Sequence, residues 1–282
     1  MRFSFSTGTL YPFPLATSLR IARDLGYDGV ELAIGPEALY FGATPLKRAI
    51  ERYGVPVLSV HPPFARMPGW PRYVRERTPR VAGLARELGA GVSVTHTVNF
   101  YTPASHRNRF FSEAIRLAHV AGGPEVTVTI ENNQYYHARL RGRVAYLDHI
   151  ANLVPYAQTR DCGLTFDTCH AAASGEDTLA TYEEMRPLLR NVHLNDMRWV
   201  NNRPHTHLVP GDGELPMREL LQRLANSDYD GLVTIELHPR SIGWWGPGCL
   251  RRAEEALGRG LAFMRAAVES APRPAVPAEL AD

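Results

Sequence analysis

Asp167 and His170 stand three residues apart in Gly163-Leu164-Thr165-Phe166-Asp167-Thr168-Cys169-His170, where a short apolar, β-prone run stops. A carboxylate and an imidazole on one tight turn can face the same point. Together they suit a divalent cation such as Zn, Mn or Mg. The pattern recurs along the chain: runs that read as strands end at or near Glu31, His61, His96, Glu131, Asp167, His193 and Glu236. Acids and histidines are rarely buried unless paired or ligating. Each one alone has an ordinary reading, since Asp167 can cap the following turn and His61 or His96 can satisfy a loop. Seven in succession argue for a multi-ligand metal site. Downstream, Arg203-Pro204-His205-Thr206-His207 offers two alternating histidines. In an extended segment both can face the metal, and His205 is the one better suited to solvent.

Such residues meet only if the elements between them bring the strand ends together. Strand-like runs fall at residues 2–6, 29–33, 57–60, 91–95, 126–130, 163–166, 191–194 and 231–235. Helix-period segments separate them at 15–25, 46–53, 81–88, 105–120, 144–153, 179–189 and 217–224, and a last one, 250–267, follows the eighth strand. Gly54 and Gly89 sit just past two of these helices, a common stop signal. Eight strand–helix units match an α/β TIM barrel, (β/α)8, whose catalytic side chains collect at the C-terminal ends of the strands. An open doubly wound sheet would want a glycine-rich phosphate turn after strand one, and Ser6-Thr7-Gly8-Thr9 is a poor version of it. One barrel domain is expected over residues 1–270, with the Pro- and Ala-rich residues 271–282 as a flexible tail.

Composition narrows the chemistry. The chain has 282 residues, 44% of them hydrophobic and 21% charged, which is ordinary globular usage. A formal charge of +2 announces no bulk field for nucleic acid. Cys162, Cys169 and Cys249 make no metal-binding spacing and leave an odd thiol, so a reducing, cytoplasmic setting is expected. The first residues enter a strand directly, without a signal peptide's apolar core, and no apolar run approaches the length of a membrane span. Lys47, on a helix, is the single lysine, which disfavours Schiff-base chemistry and a lysine-assisted hydride shift.

With these motifs the chain resembles the xylose isomerase-like TIM-barrel superfamily, which includes sugar isomerases and epimerases and the endonuclease IV-type AP endonucleases. The resemblance runs from Gly29-Val30-Glu31-Leu32 to Tyr229-Asp230-Gly231 and Ile235-Glu236. It implies a metal tetrad of Glu131, Asp167, His193 and Glu236, with further zinc ligands at His61, His96, His170 and His207. The remaining ligand of the endonuclease pattern, an aspartate, aligns with His205, and the lysine expected after Asp196 is Arg198. Asn132-Asn133-Gln134-Tyr135-Tyr136 also departs from the small-residue loop of that pattern.

Three readings follow. The first is an isomerase or epimerase of a small sugar, sugar phosphate or hydroxy-ketone. One to three divalent ions (Zn, Mn, Mg or Co) would polarise the carbonyl, and Glu131 and Glu236 would move the proton. Glu31, His61, His96, His170, Trp70 and Arg240 are its substrate-contact candidates, with Asn99, Tyr135, Trp199, Trp244 and Trp245 as further rim positions. The second is a zinc phosphodiesterase cutting DNA at abasic sites, its backbone contacts and stacking wedge supplied by Phe64, Arg66, Trp70, Arg72, Tyr73 and Arg75. The bland reading of that loop is a lid over a small-molecule pocket. The third is a non-catalytic metal-binding barrel. A small-molecule substrate, no membrane partner and possible homo-oligomers complete the first reading, which the departures above favour.

Overall fold

A computed structural model describes residues 1–11, 13–64, 67–97, 104–134, 146–243 and 246–272. The described residues form ten strands. They are β1 (Arg2–Ser6), β2 (Gly29–Ala33), β3 (Val57–His61), β4 (Val92–His96), β5 (Thr127–Glu131), β6 (Gly163–Asp167), β7 (Leu189–Leu194), β8 (Asp196–Val200), β9 (Arg203–Leu208) and β10 (Leu232–Ile235). Eight of them close a parallel barrel in the order β1-β10-β7-β6-β5-β4-β3-β2, the (β/α)8 architecture expected from the sequence. β8 and β9 form a separate antiparallel hairpin that the sequence reading left as loop.

Between the barrel strands run α1 (Leu15–Leu25), α2 (Pro36–Phe41), α3 (Ala43–Tyr53), α4 (Val74–Leu88), α5 (Ala104–Gly122), α6 (Ile150–Gln158), α7 (Thr168–Ala173), α8 (Thr178–Met185) and α9 (Met217–Ala225), and α10 (Cys249–Glu269) follows the last strand. α4 starts seven residues before its expected origin and runs through Pro79. α6 lies later than the 144–153 segment expected of it. Gly89, at φ +71°, ends α4 as anticipated, since this left-handed backbone costs a glycine least. None of the described helices is long and apolar enough to cross a membrane. Residues 273–282, most of the expected tail, lie outside the described residues.

The strands are buried on both faces, as a parallel barrel wrapped in helices requires. Their outward side chains, among them Val30, Val60, Ile130, Leu164 and Phe166, join the helix faces in one apolar core. Part of the barrel interior is polar but saturated: Ser4 donates to Thr234 (2.8 Å), Thr234 to Asn191 Oδ1 (2.9 Å), and Thr129 pairs with Thr165 (2.7 Å). Short hydroxyls that bond one another across neighbouring strands can be buried at little cost. They form the floor on which the ionisable groups rest.

Candidate metal centre

His61, His96, Glu131 and Asp167 are the last residues of β3, β4, β5 and β6; His193 is the penultimate residue of β7, and Glu236 follows β10. Closure of the barrel turns these scattered positions into one rim. One ligand atom from each of Glu131, Asp167, His193 and Glu236 falls within 4.8 Å of all the others. Two further groups meet the same criterion, His61–His96–Glu131 and Asp167–Cys169–His170–His207. Glu131 belongs to two groups and so does Asp167, so the three are contiguous.

Several nitrogens and oxygens here are held in place yet left without partners. Glu131 is 1% exposed, and neither of its carboxylate oxygens accepts a hydrogen bond; His193 Nδ1, fully buried, is likewise unpartnered. His193 Nδ1 lies 3.0 Å from Glu236 Oε2 and 3.5 Å from Glu131 Oε2. Its other nitrogen, Nε2, donates to Glu31 Oε2 at 3.1 Å, which fixes the tautomer and turns the Nδ1 lone pair toward the acids. His61 donates from Nδ1 to the Pro62 carbonyl (2.6 Å) and His96 from Nδ1 to Asn133 Oδ1 (3.2 Å). Both Nε2 atoms therefore aim at one point and sit only 2.9 Å apart, an arrangement that needs a proton or a metal ion between the lone pairs. Buried, oriented and unsatisfied donor sets of N and O type fit a divalent cation.

Asparagines aim the aspartate. Asp167 Oδ1 accepts the His170 backbone N–H (2.8 Å) as the N-cap of α7, and Oδ2 accepts Asn195 Nδ2 (3.1 Å). Asn132 spans the end of β6, accepting from Asp167 N (2.7 Å) and donating to its carbonyl (3.0 Å). His170 donates from Nδ1 to the Asn132 carbonyl (3.0 Å), leaving Nε2 for the cavity. His207 stands on the hairpin at φ +57°, an uncommon backbone for a residue with a Cβ, with Nε2 3.8 Å from Asp167 Oδ2.

Charge compensation is done by protons in the metal-free centre. Burial works against charge on every group, and the partners outweigh it for most. His96 and His193, with help from His170, hold the Glu131 carboxyl well below the usual carboxylate range. Asp167 and Glu31 are lowered by their histidine neighbours in the same way. Burial is again opposed at His193, raised well above the ordinary imidazole value by Glu31, Glu131 and Glu236, and at His170, raised to about 9 by Asp167 and Glu131. Against burial, Glu131 with Glu31 and Glu236 raises His61, whereas burial lowers His96, so of the two imidazoles His61 is the stronger proton holder.

Some expected contacts fall elsewhere. Glu31 is two residues short of the end of β2, so it lies below the rim, fully buried, accepting from Ser59 Oγ (2.8 Å), Asn191 Nδ2 (3.2 Å) and His193 Nε2 (3.1 Å), behind a candidate ligand and off the cavity wall. His205 is exposed opposite Arg198, because the left-handed turn at His207 breaks the extended run that would have put both histidines on one side. Trp70 packs on the core with Arg80 over its ring, and Arg240 is exposed; neither lines the cavity above the centre. Trp199 is exposed on β8. Arg66, Asn99, Tyr135, Trp244 and Trp245 lie outside the described residues.

That cavity has a volume of about 940 Å³ and is floored by His61, His96, Glu131, His170, His207 and Glu236. Sequence reasoning missed the residues that orient the ligands (Asn132, Asn133, Asn191, Asn195 and Ser59) and the approach of Cys169 Sγ to His207 Nδ1, 3.5 Å. Asn195 was the most accessible of these, since it lies two residues past His193 at a strand end. Sequence offers no comparable signal for Ser59 or Asn191 inside the barrel.

Known proteins share this arrangement of elements. A fructoselysine 3-epimerase of Escherichia coli O157:H7 is 24% identical over 241 residues, 79% of this chain and 86% of the relative. An uncharacterized protein of Mycobacterium tuberculosis is 29% identical over 260 residues, 86% of this chain and 90% of the relative. Two solved structures superpose on the fold. D-psicose 3-epimerase from Clostridium cellulolyticum H10 has a TM-score of 0.69 at 15% identity, covering 95% of this chain and 99% of its own. An AP endonuclease, family 2, from Brucella melitensis has a TM-score of 0.70 at 19% identity, covering 93% and 98%. The family described as "Xylose isomerase-like TIM barrel" matches residues 19–267, and with its closed eight-stranded barrel the chain belongs to that family.

Proposed function

We propose that the protein is a divalent-metal-dependent epimerase or isomerase of a sugar-like hydroxy-ketone, with Glu131 and Glu236 as its proton-transfer groups. The observation that carries this reading is the convergence of Glu131, Asp167, His193 and Glu236 on one point, from which Glu131 and Glu236 reach the floor of a small-molecule-sized cavity. Those four side chains would hold a divalent ion, which would supply Lewis-acid polarisation of the substrate carbonyl and so acidify the neighbouring C–H. Glu131 lines the cavity with both carboxylate oxygens free of hydrogen bonds, so they can take up a proton. It takes the proton from one face of the carbon next to the carbonyl, and Glu236 delivers a proton to the other. The inverse assignment is the same chemistry read in the reverse direction. Asn195 and Glu31 hold Asp167 and His193 in place throughout. The epimerase relative and the small-molecule-sized cavity support this choice of reaction.

The test is deuterium incorporation next to the carbonyl of free and substituted ketoses (D-fructose, D-psicose and 1-O-benzyl-D-fructose) in heavy water with added Mn, Co, Mg or Zn. Exchange that is lost in Glu131→Gln and in Glu236→Gln, with the fold retained, supports the roles. Exchange that survives either substitution refutes them.

A second reading, zinc-dependent cleavage of DNA at abasic sites, is favoured by one observation: His61, His96, His170 and His207 join the tetrad in contiguous groups. Clustered ions can activate water and clamp both oxygens of a phosphodiester. Cleavage of an abasic duplex, abolished by chelator, would support it; an intact duplex at excess enzyme with added Zn or Mn rejects it.

A further inference from the structure

The cavity above the metal centre has two ends of opposite character. One end is the imidazole and carboxylate floor. The other is walled by Tyr11, Phe13, Ile34, Phe41, Phe64 and Met67, contributed by the segments after β1, β2 and β3. Aromatic surface is left open there: Phe64 is 54% exposed, Phe41 72% and Tyr11 46%. Clustered exposed aromatic surface around a pocket marks a binding site more often than a structural accident.

The wall is built onto the centre itself. The Phe64 ring stacks on the His61 imidazole, with centroids 4.7 Å apart and planes 25° from parallel. Its far edge lies over Gly8, where a Cβ would fall 1.8 Å from Phe64 Cε2. Only glycine lets the ring occupy this place, and the stacked pair forms an unbroken apolar path from a candidate ligand to the cavity mouth.

Charge on this side is already spoken for. Among the described lining residues there is no arginine or lysine. The acid on the apolar side, Glu37, accepts the Leu15 N–H at 2.8 Å, so its carboxylate fills the amino terminus of α1 that could otherwise attract a phosphate. A volume of about 940 Å³ lies near the top of the roughly 300–1,000 Å³ range of pockets for drug-sized ligands and exceeds what a lone hexose fills.

We infer that the substrate is a hydroxy-ketone sugar carrying an apolar aryl or alkyl aglycone on a carbon other than its carbonyl. The sugar meets the floor and the aglycone lies on the Phe64–Phe41–Tyr11 wall. The chemistry at the floor rests on the epimerase reading; the aglycone subsite rests on the cavity alone.

Calorimetric titration of the purified full chain with two inert ligands, methyl and benzyl β-D-fructopyranoside, tests this. Burying about 100 Å² of the phenyl group at roughly 25 cal/mol per Å² predicts that the benzyl ligand binds on the order of 10- to 100-fold tighter. Phe64→Ala and Phe41→Ala, both at exposed positions, should each shrink that ratio, and the double variant should bring it close to one. Equal affinities, failure of both glycosides to bind, or a preference untouched by both substitutions would overturn the inference. So would tighter binding of D-fructose 6-phosphate than of D-fructose. Deuterium exchange on 1-O-benzyl-D-fructose, measured in parallel, separates the two proposals: a benzyl preference without exchange on any ketose refutes the epimerase reading alone, and exchange without a benzyl preference refutes the subsite alone.

Discussion

Glu31→Gln isolates the role of a residue that sits behind the candidate ligand His193. Its Oε2 receives three donors, Ser59 Oγ at 2.8 Å, His193 Nε2 at 3.1 Å and Asn191 Nδ2 at 3.2 Å. Glutamine keeps the volume and can still accept from His193, so the imidazole keeps its tautomer, but the carboxylate charge behind it is gone. A hydrogen bond to a charged acceptor is worth about 1.5–3 kcal/mol, against about 0.5–1.5 kcal/mol for a neutral one. The difference, roughly 1–1.5 kcal/mol, makes His193 a weaker ligand by about tenfold, at the lower edge of the ~10–100-fold typical of residues behind a metal ligand. Competition against a fluorescent chelator gives the ratio of Zn or Mn dissociation constants, with circular dichroism confirming the fold. An affinity within twofold of the wild type in a natively folded variant would refute the claim that Glu31 tunes the centre.

Other consequences are independent of that one. Metal binding at pH 7 should release protons, because His170 at about 9 and the raised His193 hold protons that a cation must displace. Affinity should therefore rise with pH up to about 9, and calorimetry in buffers of different ionisation enthalpy measures it. In chelator-treated protein, stability contributed by protonated His170 is fully present below the unfolded value near 6.5 and is lost as pH climbs through about 9. A thermal midpoint that falls across this window in the metal-free protein alone is the expected result. Burial pushes the Cys162 thiol up to about 12, and burial with Asp167 raises Cys169, so a native thiol assay should detect only the half-buried Cys249; rapid reaction of all three would contradict the packing. Gly213→Ala should cost about 1–3 kcal/mol in thermal unfolding, since its Cβ would meet Asp196 Oδ1 at 2.2 Å and the Met197 carbonyl at 2.5 Å. Asp196 receives the Gly211, Gly213 and Leu215 N–H groups, so a native-like midpoint would mean that this loop is not held as described.

Barrel strands are easily read because burial on both faces leaves short, uninterrupted β-prone runs, and here their ends fall within about two residues of expectation. Glu131, Asp167, His193 and Glu236 stood out for the same reason: a charge or imidazole at the end of an apolar run has few structural uses. The β8–β9 hairpin went unread although its turn carried a signal. Asn201 and Asn202 sit at φ +50° and +57°, the paired left-handed conformation of a two-residue hairpin turn, which asparagine tolerates. Without that hairpin, His205 stayed a ligand candidate beside His207, although it was the one better suited to solvent, where the structure places it. The depth of Glu31 was overlooked although the strand bounds were right: it stands two residues before the end of the 29–33 run, which sets its inward side chain one layer below the rim. The aromatic wall was invisible for another reason: Tyr11 and Phe13 follow β1 and Phe41 follows β2, and only closure of the barrel puts them beside His61.

The convergence of four side chains on a divalent cation is tested most directly by metal analysis of the purified chain, before and after Asp167→Ala. At least one tightly held divalent ion per chain, two to three if His61, His96, His170 and His207 also ligate, and its loss in the folded variant is the expected outcome. A wild-type chain that carries no stoichiometric metal and takes up none of Zn, Mn, Co or Mg on titration would contradict the account.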